Sequence, residues 1–198
     1  MTRTLTKRPS RSDPRKRRTS ALRWFGFLLI PTLLVLLVVF SANTRGEQAA
    51  PDRATPFELV ATNGQMISLD ETLAAGDALL YFSMGAGCDG CFAQIPELEQ
   101  ALSERGITLV PIMVDPPLVI GAEAARFGIE MPILIDADTS VSRAYGMIGV
   151  YGHADRPSHS FTLVRQTGEI AWVRHYAEMF VPAESLFDEL DAAIGNQS

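Results

Sequence analysis

The sequence predicts an α/β domain, built on a mainly parallel sheet with helices on both faces and preceded by one transmembrane helix. Three observations carry this. Apolar runs of strand length alternate with stretches whose apolar residues recur at helical spacing. The run Ala78–Phe82 is apolar throughout, as a strand buried on both faces should be. Trp24–Phe40 is a run of seventeen residues without a charge, directly behind a basic segment.

At the amino terminus, residues 1–23 hold nine of the chain's 17 basic residues and one acid, Asp13. Placed before residues 24–42, this tail predicts a cytoplasmic N-terminus, a single-pass anchor in the inner membrane and a domain outside the cytoplasm. Pro31 is tolerated in such a helix. An uncleaved anchor is preferred to a signal peptide, because the apolar run is long and Val39 with Ser41 is a poor cleavage pattern. Residues 43–55 are small and polar and read as a linker. Residues 56–196 are then the folded domain. Residues 41–198 carry eight arginines, no lysine and 22 acids, a net charge of −14. Such a surface repels a phosphate backbone, which excludes nucleic acid as the natural ligand.

Within the domain, Phe57–Ala61 and Met66–Leu69 flank Thr62-Asn63-Gly64-Gln65 and read as a hairpin. Ala78–Phe82 is the first buried strand. After it, Phe92, Ile95, Leu98 and Leu102 fall on one helical face, opposite Glu97, Glu99, Gln100 and Glu104, and Gly106 ends that helix. Ile107–Val114 is the next strand, closed by Asp115-Pro116-Pro117. A helix is expected over Ala122–Phe127, a short strand at Ile133–Ile135, and a helix through Tyr145 capped from Asp138-Thr139-Ser140. Phe161–Val164 and Ile170–Arg174 form a second hairpin around Gln166-Thr167-Gly168. Pro182–Ile194 is an amphipathic helix with Leu186, Phe187, Leu190 and Ile194 inward.

The chain has two cysteines, Cys88 and Cys91, three apart. Two cannot staple a disulfide scaffold. They lie in Leu79-Leu80-Tyr81-Phe82-Ser83-Met84-Gly85-Ala86-Gly87-Cys88-Asp89-Gly90-Cys91, which is a strand, a turn and the start of a helix. Free N–H groups and the helix dipole at that position favour a thiolate by about 0.3–1 kcal/mol. Cys88, the outer sulfur, is the expected nucleophile, and Cys91 closes the disulfide across a two-residue loop. Asp89 opposes the dipole, which would make the pair a reductant.

With Pro96 five residues past the second cysteine, this segment resembles the thioredoxin superfamily, and within it the membrane-anchored redoxins related to the AhpC/TSA family. Pro132–Asp138, Arg143-Ala144-Tyr145-Gly146 and Phe161-Thr162-Leu163-Val164 are similar to the same pattern. The resemblance spans about residues 55–194. It implies a thioredoxin-like fold with an N-terminal hairpin and a central insertion between residues 115 and 146. It also implies thiol–disulfide exchange with protein substrates, with Cys88 attacking and Cys91 resolving. No cofactor is required, and a membrane thiol conduit is the expected electron donor. By the same resemblance Pro157 is the candidate for the cis-proline facing the cysteines. Arg156, Asp89 and Gly90 are taken with it as substrate-contact or supporting residues. The sequence departs from the family in carrying Gly87 where a tryptophan is common, and in lacking an acid in the strand before the motif. Pro157 also stands four residues before Phe161, where three is usual.

Two alternatives remain at this stage. A peroxiredoxin-like peroxidase would need Pro-x-x-x-Thr/Ser-x-x-Cys, which neither cysteine has. A copper-binding assembly factor of thioredoxin fold would use both cysteines and His159. His153 and His175 read as surface or hairpin residues, and Met84 and Met113 as core filler.

Overall fold

The computed structural model describes residues 52–152 and 154–195. The predicted tail and anchor, most of the linker, His153 and the Ile194 side chain lie outside the described residues. Among the described residues no helix is long and apolar enough to cross a membrane.

The hairpin forms as β1 (Glu58–Val60) and β2 (Met66–Ser68), an antiparallel pair. Gly64 supplies the positive φ, 82°, that its turn requires. A helix not predicted follows at once, α1 (Leu69–Ala75). Ser68 caps it by accepting from Glu71 N–H while Glu71 reaches back to the Ser68 backbone. Its buried face is Leu69 and Leu73.

The main sheet has the order β5-β4-β3-β6-β7. At its centre, β3 (Asp77–Phe82) pairs in parallel with β4 (Ile107–Met113) and antiparallel with β6 (His159–Val164). The edges are β5 (Leu134–Ile135), parallel to β4, and β7 (Ile170–Tyr176), antiparallel to β6. The sheet is therefore mixed rather than mainly parallel. A tight turn at residues 165–168 joins β6 to β7, and only antiparallel neighbours can be joined that way.

Ala78–Phe82 have no solvent exposure. Alternate residues feed two cores, as the pleat dictates. Leu79 and Tyr81 pack with Ile95, Leu98, Phe161, Leu186 and Phe187 on one face. Ala78, Leu80 and Phe82 pack with Leu69, Leu73, Val141 and Tyr145 on the other.

The helix after the cysteines is two helices, α2 (Asp89–Ala93) and α3 (Ile95–Ser103), parted at Gln94. Pro96 has no N–H to give the carbonyl four residues back, so the ladder breaks there. Further on, α4 (Pro117–Arg126) starts five residues earlier than expected, with proline in its first turn. The following short helix, α5 (Ser140–Ala144), takes no side-chain cap from Thr139, but Asp138 Oδ1 accepts from Ser140 N–H at 3.0 Å, within the predicted capping segment. The buried carboxylate of Asp136, which was not predicted, accepts from Val141 N–H (3.2 Å), Ser142 N–H (2.7 Å) and Ser142 Oγ (2.6 Å). A 3-10 turn at Val150–Gly152 precedes β6. The closing helix, α6 (Ala183–Gly195), buries Leu186, Phe187 and Leu190 as predicted.

Candidate active site

The cysteines sit where β3 ends and α2 begins, and they form a disulfide with Cα atoms 5.3 Å apart. Cys88 is 4% exposed and Cys91 not at all. Cys88 is the more accessible of the two, but the outer sulfur is much less open than its place at a helix start suggests. The Cys91 N–H donates to the Cys88 carbonyl at 3.0 Å. Beneath them Tyr81 Oη donates to the Cys91 carbonyl at 3.1 Å. Burial drives the Tyr81 phenol far above its ordinary value, so it stays a donor.

Two charged residues from distant segments hold the loop before Cys88. Asp115, just past β4, accepts from Ala86 N–H at 2.8 Å and from Arg156 at 2.8 Å. The same guanidinium donates to the Met84 carbonyl at 2.9 Å. The hydrogen bond to Asp115 raises Arg156 further above its already high value. A side chain at Gly85 would collide with Asp115 Oδ2, and Gly85 has a φ of 87°. Sequence reading proposed Arg156 but missed Asp115.

Asp89 is not an isolated charge. Arg126, at the end of α4, lies 3.4 Å from its carboxylate and also pairs with Glu123. The Asp89 and Arg126 side chains are 70% and 55% exposed, so water and salt screen the pair. Asp89 therefore faces the cysteine turn with a cation beside it rather than alone.

Pro157 is buried and bridges Ile148, and its neighbour Ser158 N–H donates to the Met147 carbonyl at 3.3 Å. The expected cis bond is not formed, and the Arg156–Pro157 peptide is trans. Anchoring of Arg156 at the cysteine loop and the bridge to Ile148 fix the chain on both sides of that bond.

Gly90 is required by close packing. A Cβ there would lie 2.7 Å from the Met179 carbonyl oxygen and 3.4 Å from Phe180 Cβ. His159, at the start of β6, has no solvent exposure. Its Nδ1 lies 2.6 Å from the Glu178 carbonyl and its Nε2 lies 2.8 Å from Gln94 Nε2. Burial lowers its pKa below the usual histidine value. Both ring nitrogens are thus engaged within the protein, so a copper ion at His159 would have to displace one of these partners. His175 is on β7, where Nδ1 pairs with Ser160 Oγ at 2.8 Å.

Comparison with known proteins identifies the fold and the family. Thiol-disulfide oxidoreductase ResA of Halalkalibacterium halodurans is 27% identical over 158 residues, covering 76% of this chain and 84% of that protein. Among solved structures, peroxidoxin BcpB of Mycobacterium tuberculosis superposes with a TM-score of 0.62 at 22% identity, over 74% of this chain and 98% of its own. AhpC of Enterococcus faecalis gives 0.61 at 19% identity, over 73% and 91%. These likenesses show a thioredoxin-like fold. Residues 48–173 match the AhpC/TSA family. The chain belongs to that family, as a thioredoxin-superfamily redoxin and an oxidoreductase.

Proposed function

We propose that this protein is a membrane-anchored thiol-disulfide oxidoreductase that exchanges electrons with protein disulfides outside the cytoplasm. One observation carries the reading. Cys88 and Cys91 close a disulfide over one helical turn at the end of a buried strand, with the outer sulfur the more accessible. The name of the ResA relative supports the chemistry. The basic tail and the apolar run Trp24–Phe40 support the anchor and the orientation.

In the reducing direction, the Cys88 thiolate attacks a substrate disulfide, forms a mixed disulfide and releases one substrate thiol. Cys91 loses its proton and attacks the Cys88 sulfur. The protein disulfide closes and the second substrate thiol leaves. Two electrons pass to the substrate, and a dithiol in the membrane supplies two to restore the pair. The absent Pro-x-x-x-Thr/Ser-x-x-Cys pattern speaks against a dedicated peroxidase. The purified chain should reduce insulin disulfides. Cys88→Ser should abolish this, and Cys91→Ser should trap mixed disulfides in the membrane. The reading fails if Cys91→Ser captures no partner while the wild-type disulfide resists reduction by a dithiol.

A further inference from the structure

Residues 178–181, just past β7, cross the helix that carries the cysteines. Met179 and Phe180 pack against Gly90, and Val181 N–H donates to Gln94 Oε1 at 3.0 Å. Gly90 and Gln94 bracket Cys91, which has no solvent exposure. Met179 and Val181 pack in the same apolar cluster as both cysteines. A third tie joins the Glu178 carbonyl through His159 to Gln94.

The donors and acceptors in this chain admit one arrangement. A carbonyl only accepts, so His159 Nδ1 carries the hydrogen toward Glu178. A backbone N–H only donates, so the Gln94 oxygen faces Val181 and its NH₂ faces His159. The neutral ring offers a lone pair at Nε2 to receive that bond. A second proton on the ring sets N–H against N–H at Nε2. Turning the Gln94 amide over only moves the conflict to Val181.

We propose that Gln94 and neutral His159 are positioning residues that hold residues 178–181 as a cover over Cys91, so that partner thiols reach only Cys88, and that protonation of His159 releases the cover. The consequence rests on the exchange reaction above, but the test does not use that activity. The ring is faced by Tyr81 from β3 at 5.2 Å, Tyr176 from β7 at 6.0 Å and Phe161 of its own strand at 5.2 Å, with Gln94 at the helix break. Burial raises both tyrosine hydroxyls, so neither ionises in the same range. Arg174 and Glu189 lie one layer out, against Tyr176. The nearby Glu178 charge favours protonation, but burial outweighs it.

The test uses the full chain carrying Cys88→Ser, with Cys91 its single thiol. Labelling by 4,4′-dithiodipyridine is followed from about pH 8 to about pH 5, where histidines titrate. Dividing the unfolded-state rate by the native rate at each pH gives the protection of Cys91. Protection should fall about tenfold or more as the pH drops, the signature of local opening. Gln94→Glu keeps an acceptor for Val181 and also accepts from the protonated ring, so it should retain protection on the acid side. Gln94→Leu should be unprotected throughout. Protection flat with pH in the parent, or lost at the same pH in Gln94→Glu, overturns the proposal without touching the exchange reading.

Discussion

Gly90→Ala tests how tightly residues 179 and 180 are packed on the cysteine turn. The added methyl carbon would meet the Met179 carbonyl oxygen at 2.7 Å and the carbonyl carbon at 3.2 Å. Both are backbone atoms, so relief requires the segment itself to move by several tenths of an ångström. Overpacking of this kind costs about 1–3 kcal/mol. Gly90 lies in α2, where alanine is the better helix former by about 0.5–1 kcal/mol. At the middle of each range the steric cost, about 2 kcal/mol, exceeds the propensity gain and leaves a net loss of about 1.2 kcal/mol. With a urea slope of about 1–3 kcal/mol per molar for small proteins, the unfolding midpoint of the oxidised protein should fall by roughly 0.4–1.2 M. A midpoint equal to or above that of the parent would refute the packing argument, because propensity alone would then have decided the outcome.

Two further outcomes follow from buried polar groups. Asp136→Ala removes the acceptor of two backbone N–H groups and one hydroxyl at the start of α5. Each buried group left unsatisfied costs about 1–3 kcal/mol, so urea unfolding should show a loss of at least about 2 kcal/mol. A loss below about 0.5 kcal/mol would contradict that cap. His159 sets a pH dependence whose sign is fixed by burial. The folded ring stays neutral below the pH at which the unfolded chain takes up its proton, near 6.5. Its contribution is complete above that value and declines as pH falls toward the folded pKa, by at most about 1.4 kcal/mol per unit. Urea midpoints measured from pH 8 to about pH 5 should show this slope flattened in His159→Gln. An unchanged slope would assign the acid sensitivity to other groups.

Where local chemistry decides, the sequence was easy to read. Asn63-Gly64 marks the first hairpin, and the uninterrupted run Ala78–Phe82 marks a strand without exposure. The two cysteines lie at the end of that strand, as expected. The missed helix α1 had left a signal in Ser68-Leu69-Asp70-Glu71, a capping box that the strand alternation ending at Leu69 masked. The early start of α4 was likewise written in Pro116-Pro117, which reads as a strand stop and also as a helix first turn.

The sequence by itself determined the α/β class of the domain and the position of the dithiol between strand and helix, because periodicity and turn chemistry act over a few residues; the mixed direction of the sheet and the burial of the outer sulfur came from the tertiary structure. The partners of that dithiol lie far along the chain and follow no local rule. Asp115 is 29 residues from the amide it holds, Arg126 is 37 from Asp89, and His159 is 65 from Gln94. The tertiary structure alone decided that Asp89 has a cation beside it, that Pro157 is trans, and that Gly90 is needed for a backbone passing overhead. Each depends on which segments the mixed sheet brings to the end of β3, and side-chain charge and burial acquire their meaning only from those neighbours.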